Sequence, residues 1–193
     1  MNPLLRSLLE LKRVSGSDTE QSAVTQFIDT IPGMCRDRYG NRIFMRNGLS
    51  DTIISVHTDT VHSIEGTQEI VLENDIVTLA DILPDDNDNN DEDDISINYT
   101  SDFWREGHSI LWNREINEDY DWNTCLGADD AAGMYAAIRM IQAGVRATFI
   151  FHRDEEIGGR GSQWLAANMR DFLEPYKRAI ALDRRGTSDI VTV

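Results

Sequence analysis

The sequence has few cysteines, few basic residues for its acidic content and no long apolar run. Cys35 and Cys125 are the two cysteines in 193 residues, and they form no CxxC spacing. The sequence therefore predicts no disulfide framework and favours a reducing compartment. Lysine and arginine number 18 against 34 aspartates and glutamates, a formal net charge of -16. This charge argues against nucleic acid or an anionic membrane surface as a partner.

The leucine-rich N-terminus, residues 1–14, is predicted to be an amphipathic helix. Arg6, Glu10, Lys12 and Arg13 interrupt its leucines, which is not the pattern of a signal peptide. No uninterrupted apolar stretch approaches the roughly 20 residues that span a membrane. We therefore expect a cytoplasmic protein.

The acidic excess is concentrated in one stretch. Residues 81–94 hold eight acidic side chains and no basic one. A segment of this composition buries too little apolar area to offset the entropy lost on ordering. We expect residues 83–108 to form a mobile acidic insertion within the domain.

Hydrophobic periodicity predicts strands that alternate with helices. Helical spacing recurs over residues 4–11, 24–31, 134–141 and 165–172, and hairpins are predicted over 34–46 and 69–81. Short apolar runs at 51–57, 147–151 and 178–183 are typical of buried strands. Ser17 and Glu20 have the spacing of a capping box at the start of the second helix. This order of elements indicates an α/β domain.

Metal-binding side chains follow several of these strands. His57 and Asp59 end one strand, Asp129 and Asp130 open a helix, and Asp183 ends another strand. Glu155 and Glu156 follow a strand and precede two glycines. Ligands of open α/β sheets collect at the carboxyl ends of strands. One nitrogen ligand with several carboxylates suits zinc, or manganese or cobalt.

The residue types suggest a division of roles. In an extended segment neighbouring side chains diverge, so Glu156 could bind metal while Glu155 acts as general base. Asp129 could bridge two metals, and Asp59 could orient the imidazole of His57 by a hydrogen bond. Ordinary structural roles compete with each of these, notably a helix N-terminal acid for Asp130 and a surface ion pair for Asp183.

These motifs, in this order, resemble the co-catalytic zinc peptidases of the M20 and M28 type, which include peptidase T-like enzymes and M28-like aminopeptidases. The resemblance implies a three-layer α/β/α sandwich with a mostly parallel central sheet, over a catalytic domain of residues 1–193. It implies two zinc ions: His57 and Asp183 on one, Glu156 on the other, and Asp129 between them. Glu155 would be the base for a metal-activated water that cleaves a peptide bond.

Two departures from the family pattern stand out. Ala131 follows the aspartate pair where peptidase T-like sequences often have lysine, which favours the M28-like assignment. The family also supplies a fifth ligand, a histidine well downstream of the last aspartate, and only ten residues follow Asp183 here. We therefore expect the domain to be incomplete at its C-terminus. His62, His108 and His152 are the candidate substitutes, although a structural role is the simpler interpretation of each.

Three functions stay open at this point. The first is a zinc exopeptidase, with aminopeptidase activity favoured. The second is an incomplete or non-catalytic piece that needs a complementing chain, and a homo-oligomer is also compatible with the sequence. The third keeps the zinc chemistry but hydrolyses N-acyl amino acids instead of peptides.

Overall fold

The computed structural model describes residues 1–46, 50–80 and 125–183, and all structural statements concern these residues. The helices are α1 Pro3–Leu9, α2 Asp18–Ala23 with its π-helical continuation Val24–Ile28, α3 Ala128–Ala143, α4 Arg160–Asn168 and α5 Arg170–Leu173. The strands are β1 Leu11–Lys12, β2 Met34–Arg36, β3 Arg42–Met45, β4 Thr52–His57, β5 Gly66–Thr67, β6 Ile70–Glu73, β7 Ile76–Leu79, β8 Thr148–His152 and β9 Arg178–Ala181.

The central sheet has five strands in the order β2-β3-β8-β4-β9. Strand β4 pairs in parallel with both β8 and β9, and its register places His57 beside His152. Strands β2 and β3 extend the other side in antiparallel pairing. The predicted α/β class is confirmed, with a sheet that is mixed because the β2–β3 hairpin adds to its parallel half.

Helices cover both faces of this sheet. Alternate residues of β4 and β8, such as Ile54 and Phe149, point towards α1, the π-helical segment and α3, where they form the larger apolar core. Ile53 and Ile150 point to the other face and pack with Leu165 of α4. Burying a side chain such as Phe149 fully contributes about 1.5–3 kcal/mol. The sheet and the helices on its two faces thus form three layers.

The first helix is shorter than predicted. Helix α1 ends at Glu10, and Leu11 and Lys12 form β1, which pairs with β5. Arg13 then turns inwards, fully buried, and its Nε donates to the carbonyl oxygen of Thr58 at 2.8 Å. The prediction of a helix over residues 1–14 was wrong because tertiary pairing overrides a leucine period that continues to Leu11.

The two hairpins agree with the prediction, whereas the helix predicted over 165–172 is divided at Met169 into α4 and α5. Strands β2 and β3 form the first hairpin, and β6 and β7 form the second, with Asn74 and Asp75 in its turn at positive φ. Helix α3 ends at Gly144, which adopts the left-handed conformation that favours glycine at a helix C-terminus. The predicted insertion at 83–108 and the candidate His108 lie outside the described residues. Across the described residues, no helix combines the length and apolar character needed to cross a membrane.

The capping box at α2 forms only in part. Ser17 caps the helix by accepting a hydrogen bond from the Glu20 amide at 3.1 Å, as predicted. The Glu20 carboxylate accepts instead from the amide of Gly16, at 2.8 Å, and is fully buried among other partners. Glu20 thus makes tertiary contacts instead of completing the capping box.

Candidate metal centre

His57 lies at the carboxyl end of β4, with only 2% of its side chain exposed. Its Nε2 atom is 2.8 Å from Oδ1 of Asp129 and 3.9 Å from Oδ1 of Asp183. Asp129 comes from the start of α3, and Asp183 follows β9. Three of the four side chains that the sequence predicted as metal ligands thus form one group, and the fourth, Glu156, lies close to the same histidine.

The two neighbouring aspartates point in different directions. Asp129 is not helical (φ -84°, ψ 106°), and its side chain, 68% exposed to solvent, contacts Nε2 of His57. Asp130 is buried and accepts hydrogen bonds from the amides of His57, at 3.0 Å, and Gly133, at 2.8 Å. Asp130 thus fixes the start of α3 to the end of β4, which agrees with its interpretation as a structural acid.

Asp183 is held in place by the parallel pairing of β9 with β4. The amide of Leu182 donates to the carbonyl oxygen of Ser55 at 2.9 Å, so the pairing continues up to the aspartate. The side chain of Asp183 is 33% exposed. Arg184 and Arg185, the alternative ion-pair partners of Asp183, lie outside the described residues.

Glu155 and Glu156 lie in a turn after β8, not in an extended segment. Their two amides donate to the two carboxylate oxygens of Asp59, each at 3.1 Å. The prediction that the glutamate side chains diverge was wrong: each offers a carboxylate oxygen within 4.8 Å of the other and of a ring nitrogen of His57. The turn makes them converge because both amides bind the same carboxylate.

Among the described residues, two groups have donor atoms close enough to hold a metal ion. One is His57, Asp129 and Asp183, and the other is His57, Glu155 and Glu156. Zinc bound by nitrogen and oxygen has ligand distances of about 2.0–2.2 Å, so donors of one ion lie at most about 4.4 Å apart. The distances from His57 to Asp129 and Asp183 meet this limit. The donor set of the first group therefore fits a divalent ion such as zinc.

Asp59 contacts the imidazole through its backbone carbonyl and, at longer range, through its carboxylate. The Nδ1 atom of His57 is 3.1 Å from the backbone carbonyl oxygen of Asp59 and 3.5 Å from its carboxylate. The carboxylate itself binds the glutamate turn. Asp59, fully buried, thus connects His57 to Glu155 and Glu156.

The electrostatics reflect a dense group of carboxylates. Burial alone would lower the pKa of His57, but hydrogen bonds to Asp129 and Asp59 raise it to about 11. Burial, followed by the charge of Asp129, raises the pKa of Glu156 to about 7 and that of Asp183 to about 6. The hydrogen bond from His57 keeps the pKa of Asp129 below its usual value. Such a group of acids attracts cations.

The remaining histidines have other surroundings. Nδ1 of His62 is 2.8 Å from the hydroxyl of Thr60, and Nε2 is 2.9 Å from the carbonyl oxygen of Cys125. His152, beside His57 in the sheet, is buried, and burial lowers its pKa to about 4. Neither belongs to a metal-binding group found among the described residues.

Three residues beside the site, Glu20, Thr58 and Arg153, could not be recognised from the sequence. The buried carboxylate of Glu20 binds the hydroxyl of Thr58 and the guanidinium of Arg153. No local pattern indicates these contacts, because the spacing of Glu20 is already explained by helix capping.

A cavity of about 160 Å³ adjoins this region and is lined by residues that include His57, Glu155 and Asp183.

Comparisons with known proteins add a likeness of fold. No protein-family model matches the chain, and no curated protein sequence matches it. One similar solved structure is the TET1 peptidase of Pyrococcus horikoshii, described as able to assemble into a tetrahedron or a large octahedral shell. It is 15% identical over 93% of this chain and 67% of that chain, with a TM-score of 0.49.

A second similar structure is the TET aminopeptidase of the marine sediment archaeon Thaumarchaeota archaeon SCGC AB-539-E09. It is 16% identical over 97% of this chain and 67% of that chain, with a TM-score of 0.42. Because both TM-scores are below 0.5, we base no statement about function on them. The assignment to the M20 and M28 type stays a prediction from the motifs, and this chain is similar in fold to two TET peptidases.

Proposed function

We propose that this chain is a metal-dependent hydrolase of the zinc exopeptidase type, most consistent with an aminopeptidase. The observation that carries the proposal is the convergence of His57, Asp129 and Asp183, from three separate strand and helix ends, with Nε2 to carboxylate distances of 2.8 and 3.9 Å. The catalytic domain would span residues 1–193, with 83–108 as an insertion.

The proposed ligands are the four predicted from the sequence: His57, Asp129, Asp183 and Glu156. Zinc is the favoured ion, with manganese or cobalt as alternatives, because one imidazole nitrogen joins several carboxylates. When bound, the ion would supply Lewis-acid polarisation of the scissile carbonyl oxygen. The chain's own residues would do the remaining work.

Glu155 is the proposed general base. Its carboxylate would take a proton from the attacking water and pass it to the leaving amine, as general acid–base catalysis requires. The hydrogen bond from its amide to Asp59 holds the residue in place, and Asp59 also contacts His57. This arrangement supports a fixed relation between the base and the metal ligands.

The charge of the site favours peptides with a free N-terminus. Four carboxylates, those of Asp129, Glu155, Glu156 and Asp183, surround His57. An aminopeptidase substrate brings a protonated α-amino group, which this acidic site attracts. An N-acyl amino acid brings a carboxylate and no cation, so we propose it as the less favoured substrate.

The test compares aminoacyl p-nitroanilides with their N-acetylated forms and with N-acyl amino acids. We expect hydrolysis of the free-amino substrates, loss of activity after chelation, and recovery with zinc, manganese or cobalt. Asp129→Asn should abolish the recovery, whereas the control Asp171→Asn, an exposed aspartate on α5, should not. Activity that persists in Asp129→Asn after chelation would refute the metal-dependent mechanism.

One observation favours a second candidate. Both three-residue groups contain His57, whose Nδ1 already contacts the carbonyl oxygen of Asp59, so the described residues offer one complete set at a time. A second ion would then need ligands from a complementing chain or from a second copy in a homo-oligomer. Native mass spectrometry with metal analysis distinguishes these cases. One metal in an active monomer would exclude the need for a partner, and two metals found only in an oligomer would support it.

A further inference from the structure

Glu20 is a fully buried carboxylate whose position in the sequence suggests only a helix cap. Burying an ionised carboxylate is strongly unfavourable unless hydrogen bonds and an opposite charge compensate for it. Ser17 already caps α2, so the carboxylate is available for contacts elsewhere in the fold.

Both oxygens of Glu20 are fully engaged. Oε1 accepts from the hydroxyl of Thr58 at 2.5 Å and from Nε of Arg153 at 3.2 Å. Oε2 accepts from Nη2 of Arg153 at 2.9 Å and from the amide of Gly16 at 2.8 Å. The contact with Arg153 uses two guanidinium nitrogens, the geometry that gives arginine–carboxylate pairs their directionality.

Two of the three partners of Glu20 lie at the ends of the two strands that supply the site. Thr58 directly follows His57, and Arg153 is two residues before Glu155. The amide of Thr58 also donates to the carbonyl oxygen of His152 at 2.9 Å, and the Thr58 hydroxyl oxygen lies 3.1 Å from that same oxygen. A single carboxylate thus connects the end of β4 to the end of β8 where each contributes reactive side chains.

The next residue reinforces this connection. Asp154 has a φ of 59° and accepts hydrogen bonds from the hydroxyls of Ser15 and Tyr39. Arg153 and Asp154, which lead into the glutamate turn, are therefore both hydrogen-bonded to side chains from outside β4, β8 and β9. Its course does not depend on the glutamates themselves.

We propose that Glu20 is a positioning residue that sets the placement of Glu155 and Glu156 relative to His57, acting through Thr58 and Arg153. The inference rests on the proposed function, because it concerns the same metal centre. Glu20 itself is no ligand and no proton carrier. Its effect is to keep two strand ends at the separation that a shared ion and a general base require.

Glu20→Gln preserves the shape of the side chain and removes its charge. The new amide nitrogen would face groups that are themselves donors, so at least one contact with Arg153 or Gly16 is lost. Loss of such supporting contacts typically lowers metal affinity or activity by about 10–100-fold. We expect kcat for an aminoacyl p-nitroanilide and the affinity for Co²⁺ to fall in that range, with a changed cobalt absorption spectrum.

Asp29→Asn is the matched control. Asp29 forms a comparable two-pronged pair with the buried Arg42, at 2.8 and 2.9 Å, away from the metal centre. The side chain of Asp29 is 35% exposed, so Asp29→Asn should lose less stability than Glu20→Gln, and it should keep kcat and the cobalt spectrum. Arg153→Lys is a second test variant, which keeps the charge but not the two-pronged contact, and it should lower kcat as Glu20→Gln does.

The possible outcomes separate the inference from the proposed function. If wild type is active and binds Co²⁺ while Glu20→Gln and Arg153→Lys match Asp29→Asn in kcat and spectrum, Glu20 is merely structural and the inference is overturned. If wild type neither binds Co²⁺ nor hydrolyses the substrates, the proposed function fails and the inference fails with it. A selective loss in the two test variants supports the inference.

Discussion

A single imidazole ring connects the acidic groups of the candidate site. His57 offers Nε2 to Asp129 and Asp183, and its Nδ1 contacts Asp59, whose carboxylate binds the amides of the glutamate turn. Because the two ring nitrogens face different partners, the metal-ligand role of His57 and its contact with Asp59 can be tested separately.

The first prediction concerns the proposed general base. Glu155→Gln removes the proton acceptor but none of the proposed zinc ligands, so kcat should fall by about 10²–10⁴-fold. Zinc affinity, measured by isothermal titration calorimetry, should change little. The control Glu174→Gln, at an exposed position after α5, should keep full activity. An active Glu155→Gln enzyme would remove Glu155 from the mechanism.

A second prediction concerns pH and His152. Burial lowers its pKa in the folded protein to about 4, whereas an unfolded histidine titrates near 6.5. Between these values the unfolded chain binds a proton that the folded protein does not, so the free energy of unfolding falls as the pH decreases from 6.5 to 4. At about 1.4 kcal/mol per pKa unit, the full loss is about 3 kcal/mol.

Urea unfolding of wild type and His152→Phe at several pH values measures this effect. The variant keeps a planar ring that does not titrate, so its stability should decrease less than that of wild type below pH 6.5. The difference between the two proteins should be constant above pH 7. Parallel curves over the whole range would show that His152 does not titrate as described.

At the scale of elements, the end of β4 and the start of α3 depend on close backbone contact. Asp130 lies between them and binds both the His57 and the Gly133 amides. A Cβ at Gly133 would lie 2.1 Å from Oδ1 of Asp130 and 2.3 Å from the carbonyl oxygen of Leu182. Glycine is therefore required inside this helix by packing, although it weakens helices in general.

Gly133→Ala tests that packing argument. Helix propensity alone predicts a gain of up to about 1 kcal/mol, whereas a forced contact of this kind typically destabilises by about 1–3 kcal/mol. We expect the loss to dominate in chemical denaturation. Ala136→Gly, in the same helix, is the control and should destabilise by about 1 kcal/mol through propensity. A Gly133→Ala protein at least as stable as wild type would contradict the contact.

The elements were predictable to different degrees. The apolar runs that became β4 and β8 and the period of α3 follow from local pattern, because the core imposes it on these residues, whereas β9 is exposed at all four of its positions. Leu11 continues the leucine period but pairs with β5 instead, which no local pattern reveals. Two partners of Glu20, Thr58 and Arg153, are 38 and 133 residues away in the sequence.

For the whole molecule, the site residues come from chain segments that meet only on folding. The motifs lie at strand ends that the fold brings together, since parallel pairing of β4, β8 and β9 aligns their carboxyl ends. The sequence did not reveal that the two glutamates converge, because this depends on the turn that Asp59 holds. A metal ion that binds this assembled group should therefore stabilise the entire fold.

Metal removal tests this linkage. An ion that binds only the folded state raises the free energy of unfolding by about 2.7 kcal/mol when its free concentration is 100 times the dissociation constant. We expect zinc to raise the melting temperature of chelator-treated protein. His57→Ala should abolish that increase, whereas the exposed control Asp171→Asn should show it in full. An equal response of His57→Ala would place the stabilising ion elsewhere.

The most direct measurement is the anomalous diffraction signal of zinc in crystals of the zinc-loaded protein. We predict an ion about 2.0–2.2 Å from Nε2 of His57 and from carboxylate oxygens of Asp129 and Asp183. A zinc-loaded crystal with no ion at these three side chains, or with zinc bound only elsewhere, would contradict it.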